Sequence, residues 1–234
     1  RVGLDASGSS TAGASIVRGI FDNGTTEGRN FYHNSVYVGG TQTSGSASSR
    51  AFDGTSGVSN TRTYQNNLFV NARGNSSGTG KHYAVQYGGT GVNPTGLTAG
   101  GNLFLASGTG GVLGLYNTTD LTDLASWQTA TGQDATSLSA DPLYLNPTGT
   151  AATVDLHLPS SSPANNAGLA LAAVTDDFDA GNRSLTTPDI GADEIGTAAP
   201  TAARDAATVT VAEGTTAFNS GTFADANFDT VTMT

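Results

Sequence analysis

The residues in this chain best suited to chemistry are carboxylates crowded into one stretch: Asp176, Asp177, Asp179, Asp189, Asp193 and Glu194, with Arg183 among them. Calcium takes about six to eight oxygen ligands, and Asp-x-Asp pairs present such oxygens close together. Asp177, Asp179 and Asp193 are the candidate calcium ligands, although their spacing is not that of an EF-hand loop. The competing reading is a pair of turns whose Asp side chains accept backbone N–H hydrogen bonds, with Arg183 as an ion-pair partner. Calcium is thus a candidate ion beside the turn reading, and no cofactor is required.

A second group, Asp22, Glu27, Arg50, Asp53 and Arg62, holds the residue types that polysaccharide lyases and glycosidases use, acids paired with a basic residue. No two of these acids recur at a repeat spacing on one strand, and Glu27 lies among Gly and Asn, where a loop is expected. His33, His82 and His157 fall in separate strand-like segments, none with a second ligand type at metal spacing. The expectation is therefore a non-enzymatic protein, with a carbohydrate-active enzyme as the alternative.

The elements that would position these residues read as short strands. Three segments align: His33-Asn34-Ser35-Val36-Tyr37-Val38, Gln65-Asn66-Asn67-Leu68-Phe69-Val70 and Gly101-Asn102-Leu103-Phe104-Leu105. Matching the aromatics Tyr37, Phe69 and Phe104 gives spacings of 32 and 35 residues. Strand-like runs at Ala14–Phe21, Arg50–Asp53, His82–Tyr87 and Val112–Tyr116 lie between them, separated by Gly- and Ser-rich stretches. Three short strands per repeat describe a parallel solenoid, in which equivalent residues stack about 4.8 Å apart. Asn34, Asn67 and Asn102 then either form a side-chain ladder or occupy left-handed turns, and Tyr37, Phe69 and Phe104 form an inward column. A short helix follows, capped by Thr119 or Asp120 and ended near Gly132, with Trp127 as the apolar anchor against the end of the solenoid.

Composition narrows the function classes. The chain has 234 residues, of which 12% are charged, with a net charge of −10. Residues 1–100 carry six Arg and one Lys against four acids, a net +3, whereas residues 101–234 carry two Arg against fifteen acids, a net −13. Nucleic-acid binding needs clustered Lys and Arg, so it is excluded as an expectation. Cysteine is absent, which removes disulfide and thiol chemistry. No apolar run is long enough to span a membrane. A Thr/Ser/Gly/Asn-rich, Cys-free, Lys-poor chain beginning at Arg1 fits a segment of an exported bacterial protein.

From Asp141 the character of the sequence changes. Ala140-Asp-Pro-Leu, Asp155-Leu-His-Leu-Pro, Ser162-Pro-Ala-Asn-Asn-Ala-Gly168, Asp177-Phe-Asp-Ala-Gly-Asn-Arg183 and Pro188-Asp-Ile-Gly-Ala-Asp-Glu194 follow in order. With Ser126-Trp-Gln upstream, these phrases resemble the C-terminal segment of bacterial right-handed parallel β-helix repeat surface proteins. Asp179-Ala-Gly departs from the family's more usual Asp-Gly. The resemblance implies an all-β, right-handed parallel β-helix (solenoid) with one short helix, coils over 1–140 and a final coil and cap over 141–197. Residues 198–234 are expected to be a linker and the first strands of a sandwich, with an alternating strand over 207–214 and further strands at 218–223 and 230–234. Their phrase TVTVAEG resembles the opening of a cadherin-like or immunoglobulin-like tandem repeat. The expected role is structural or adhesive at the cell surface: a rod, S-layer, sheath, filament or adhesin stalk. The expected partners are other domains or copies of the same surface protein, and extracellular polysaccharide. An incomplete sandwich leaves strand edges open, so residues 205–234 are expected to mediate assembly.

Overall fold

The computed structural model describes residues 1–11, 13–24, 28–55, 60–196, 201–205 and 208–224. The strands run in chain order β1 (Val17–Phe21), β2 (Arg29–Tyr32), β3 (Ser35–Val38), β4 (Thr41–Gln42), β5 (Ser49–Gly54), β6 (Arg62–Gln65), β7 (Leu68–Asn71), β8 (Gly74–Asn75), β9 (His82–Tyr87), β10 (Leu97–Gly100), β11 (Leu103–Ala106), β12 (Gly111–Tyr116) and β13 (Thr119–Leu121). One helix, α1 (Leu124–Thr131), precedes two late strands, β14 (Thr201–Arg204) and β15 (Gly221–Ala224). The fold is mostly β, and none of its described helices is long and apolar enough to cross a membrane.

Three parallel stacks account for the main body: β1-β5-β9-β12, β2-β6-β10 and β3-β7-β11. The chain visits them in rotation, so each strand pairs with its equivalent one circuit earlier. Extended β-branched and aromatic runs form these strands, and Gly and Asn in left-handed conformations turn the corners. His33, Asn66 and Gly101 all have positive φ (51°, 57° and 63°) and sit one above another just before β3, β7 and β11.

The next residues form a hydrogen-bonded column. Asn34 Nδ2 donates to Asn67 Oδ1 at 2.8 Å, and Asn67 Nδ2 donates to Asn102 Oδ1 at 3.0 Å. Each Oδ1 also accepts the backbone N–H of the Asn before it, at 3.1 and 2.9 Å. The left-handed backbone belongs to the preceding residue, so ladder and turn are adjacent features.

The aromatic alignment is corrected by one residue. Val36 pairs with Phe69, and Tyr37 pairs with Val70. Successive side chains of a strand face opposite sides, so Tyr37 leaves the inner column. It lies in the opposite cluster with Leu68, Val70 and Leu103, its ring 6.4 Å from Tyr144. Phe69 and Phe104 do stack, at 6.3 Å, and Phe52 continues the pile at 4.9 Å from Phe69.

Helix α1 covers one end of these stacks. Its N-cap is Asp123, whose side chain accepts from Ser126 N, and Gly132 ends it at φ 67°. Thr119 and Asp120 belong instead to β13, antiparallel to β12. Trp127 is fully buried against Tyr87, Phe104 and Tyr116. Gly114 makes this approach feasible, because a Cβ there would lie 2.4 Å from the Trp127 ring. The indole Nε1–H donates to Asp134 at 2.8 Å, and Asp134 also accepts from Asn102 Nδ2 at 2.8 Å and Ser137 Oγ at 2.7 Å. The Asn ladder therefore ends on a buried carboxylate that the tryptophan holds.

Residues 141–196 add no further named strand. They lie along the flank of β3-β7-β11 and not over its end, packing Tyr144, Leu158, Ala164 and Ile190 against Tyr37, Leu68, Val70 and Leu103. Beyond them β14 and β15 pair antiparallel. The expected strand over 207–214 is absent at 208–212, where Val209 and Val211 are exposed. Period-two alternation makes a strand only where a partner and a surface receive it. The expected strand at 230–234 lies outside the described residues.

Candidate functional site in the C-terminal segment

The acidic stretch divides into two groups with different surroundings. The first is a docking seam. Arg183 and Glu194 are both buried and paired at 3.2 Å. The Arg183 guanidinium also donates to the carbonyls of Gly191 (3.0 Å), Ala192 and Asp193 (3.3 Å), which fixes the Ile190–Glu194 turn around it. Glu194 accepts from Ser184 N at 2.9 Å and Asp189 N at 2.8 Å. Asp189 accepts from Asn166 N at 2.6 Å and Ile195 N at 2.7 Å. The seam then joins the stack: Gly191 N donates to Asn66 O at 2.9 Å, Ala192 N donates to Ser35 Oγ at 2.8 Å, and His33 Nδ1 lies 3.2 Å from Gly191 O.

Two groups here titrate in opposite senses. Burial, helped by the nearby Arg183 charge, lowers the His33 pKa from 6.5 to about 4. Burial raises Asp189 from 3.8 to about 6, partly offset by the N–H groups of Asn166 and Ile195. The unfolded chain binds the His33 proton near 6.5, so this contribution is complete above that pH and lost as pH falls towards 4. Protonated Asp189 contributes most below 3.8, and that contribution is lost as pH rises through about 6. The two slopes oppose each other between about pH 4 and 6. Asp189→Asn is expected to steepen the loss of stability on acidification across that window, and His33→Gln to flatten or reverse it. Urea midpoints from pH 4 to 7 measure both. Slopes equal to that of the parent in both variants would refute the assignment.

The second group surrounds a cavity of about 440 Å³ lined by Arg1, Asp155, His157, Phe178 and Asp193 among others. His157 Nδ1 lies 2.5 Å from Asp155 Oδ1, and its Nε2 lies 2.6 Å from Asp179 Oδ2. One ring nitrogen of His157 and one oxygen each from Asp179 and Asp193 fall within 4.8 Å of one another. Burial works against the His157 imidazolium, but Asp179 and Asp155 outweigh it and raise the pKa above its ordinary value. Burial also raises Asp193, against the effect of the Leu158 N–H that it accepts at 2.7 Å.

This geometry brings two of the three candidate calcium ligands, Asp179 and Asp193, together with His157. Asp177 is not in the cluster: its Oδ1 accepts from Asp179 N at 2.9 Å and Gly181 N at 2.7 Å, closing its own turn. His157, which was not among those candidates, is in the cluster. The sequence signal for it was the Asp155-Leu-His157 phrase itself, a carboxylate two residues before an imidazole.

The candidates on the stack are placed apart from this site. Asp22 pairs with Arg29 at 3.0 Å and accepts from the Tyr64 hydroxyl at 2.8 Å. Asp53, fully buried, pairs with Arg18 and Arg50. Arg62 is buried and donates to the carbonyls of Gly88 (3.1 Å) and Thr95 (3.2 Å). Glu27 lies outside the described residues. His82 is buried between Ser49 Oγ (2.9 Å) and Asn75 Oδ1 (3.0 Å). Comparison with protein-family models, curated proteins and solved structures finds no match.

Proposed function

We propose that the chain is a scaffold: the coils of a right-handed parallel β-helix in an exported bacterial surface protein, with residues 141–196 bound along its flank. Its role is structural or adhesive, as part of a rod, S-layer, sheath, filament or adhesin stalk, joined to other domains or copies of the same protein. The observation that carries this reading is the use of the stack's polar side chains. Asp22, Asp53, Arg62, His82, Asn67 and Asn102 are buried and engaged with neighbouring coils, and Asn34 is half-buried on the same ladder. Burying such groups is favourable only when they are hydrogen-bonded, and here those bonds join one circuit to the next.

A polysaccharide-binding or polysaccharide-cleaving module is the second reading. It is favoured by the partly exposed Arg18, stacked 4.4 Å over the exposed Phe21 ring on the outer face of β1. The test is incubation with a panel of acidic and neutral polysaccharides. The scaffold reading expects no new reducing or unsaturated ends, and product that disappears in Arg18→Ala or Arg50→Ala would replace it with the enzyme.

A further inference from the structure

We propose that His157, Asp179 and Asp193 bind a divalent transition-metal ion, with Zn²⁺ as the representative. Three features support this, independently of the scaffold reading. The donor atoms already converge, all within 4.8 Å of one another. Zn–N and Zn–O bonds of about 2.0–2.1 Å place tetrahedral ligand pairs about 3.4 Å apart. The present His157–Asp179 contact of 2.6 Å therefore opens by less than an ångström to admit the ion.

The second feature is orientation. Asp155 Oδ1 holds Nδ1 of His157 from behind, which aims Nε2 at the two aspartates. A carboxylate on the far nitrogen of a metal-binding histidine sets its tautomer and raises its basicity. On the other side, Asp177 closes the turn that carries Asp179.

The third feature is Asp193. It is only 7% exposed yet lines the cavity, and the one hydrogen bond its carboxylate accepts from described residues comes from Leu158 N. One of its oxygens lies within 4.8 Å of the ligand atoms of His157 and Asp179. Asp155, Asp179 and Asp193 bring three carboxylates to one imidazole, and Arg1, which also lines the cavity, donates to the carbonyls of Gly149 and Asp5. Arg183, the nearest buried cation of the segment, is committed to Glu194.

The imidazole also selects the ion. Calcium takes about six to eight oxygens. A set of one nitrogen and two carboxylates suits zinc and its transition-metal neighbours, with the cavity leaving room for a water as fourth ligand. Such an ion ties the 155–158 segment to the 176–182 turn and to the docking seam.

The whole chain, freed of metal by chelator and dialysis, is titrated with ZnCl2 by calorimetry. One saturable site is expected, weakened at least about 100-fold in His157→Gln and about 10–100-fold in Asp155→Asn. Imidazole ¹⁵N spectra of the unsubstituted chain keep the test independent of the variants' folding. Of three histidines, His157 alone should shift at Nε2 on adding Zn²⁺. Absence of saturable binding, a shift at His33 or His82 without His157, or Zn²⁺ affinity unchanged in a folded His157→Gln overturns the proposal. Displacement of Zn²⁺ by equimolar CaCl2 overturns the choice of ion.

Discussion

Trp127→Ala is expected to remove about 3–5 kcal/mol of stability, the range for truncating a fully buried large aromatic. The site cannot easily collapse, because Tyr87, Phe104 and Tyr116 surround the indole and belong to different strands. The loss is also polar. Asp134 is completely buried, and burial already raises its pKa against the hydrogen bonds from Trp127, Asn102 and Ser137. Removing the indole N–H takes one of those donors away. Trp127→Phe separates the two effects: it keeps most of the ring packing and loses the donor, for an expected cost of about 1–3 kcal/mol. Total stabilities of folded domains are about 5–15 kcal/mol, so the alanine variant is expected to be marginal. Circular dichroism during urea unfolding reads both, since the chain's single tryptophan is the residue replaced. A loss of less than about 1 kcal/mol in Trp127→Ala would show that α1 is an accessory and not the closure of the stack.

Arg183→Ala is expected to cost a similar amount, about 3–5 kcal/mol, because it strands a buried carboxylate. Glu194 is 1% exposed and would face the interior without its countercharge. The Gly191, Ala192 and Asp193 carbonyls would lose the guanidinium in the same step, leaving Ala192 O with Phe178 N at 2.9 Å and Gly191 O with the His33 Nδ1 contact at 3.2 Å. Arg183→Lys is expected to restore little, since an ammonium cannot span the carboxylate and three carbonyls as a planar guanidinium does. The consequence should be local. Amide hydrogen exchange should speed up at Gly191 and Ile190, whose N–H groups bond Asn66 O and Ala164 O, while Leu68 and Leu103 in the stack stay protected. Uniform acceleration through the stack would mean instead that the flank segment and the strand stacks unfold as one unit.

The chain's own spacing revealed the strand circuit, and it revealed the Asn ladder more reliably than the aromatic column. A ladder needs the same residue type at the same register in every circuit, so Asn34, Asn67 and Asn102 mark that register directly. An aromatic residue can fill either face of a strand, and a shift of one position changes the face. That is why Tyr37 matched Phe69 as text while Val36 is its neighbour in space. The alternating Thr208–Val211 run failed for a related reason, because amphipathic alternation says nothing about whether a second surface lies opposite.

The local sequence determined the short strands, the helix around Trp127 and the presence of a polar, acidic C-terminal segment, while the left-handed turn residues proved to be His33, Asn66 and Gly101, one position before the Asn ladder. Only the tertiary structure decided which acids meet. His157 reaches Asp179 across 22 residues of irregular chain, whereas Asp177, two residues from Asp179, turns its carboxylate back on its own backbone. Loops lack a period that would relate spacing to direction, so packing against the β3-β7-β11 flank sets which side chains converge. The same packing places Arg183 on Glu194 and the Asn ladder on Asp134, contacts that burial makes strong and that no short motif encodes.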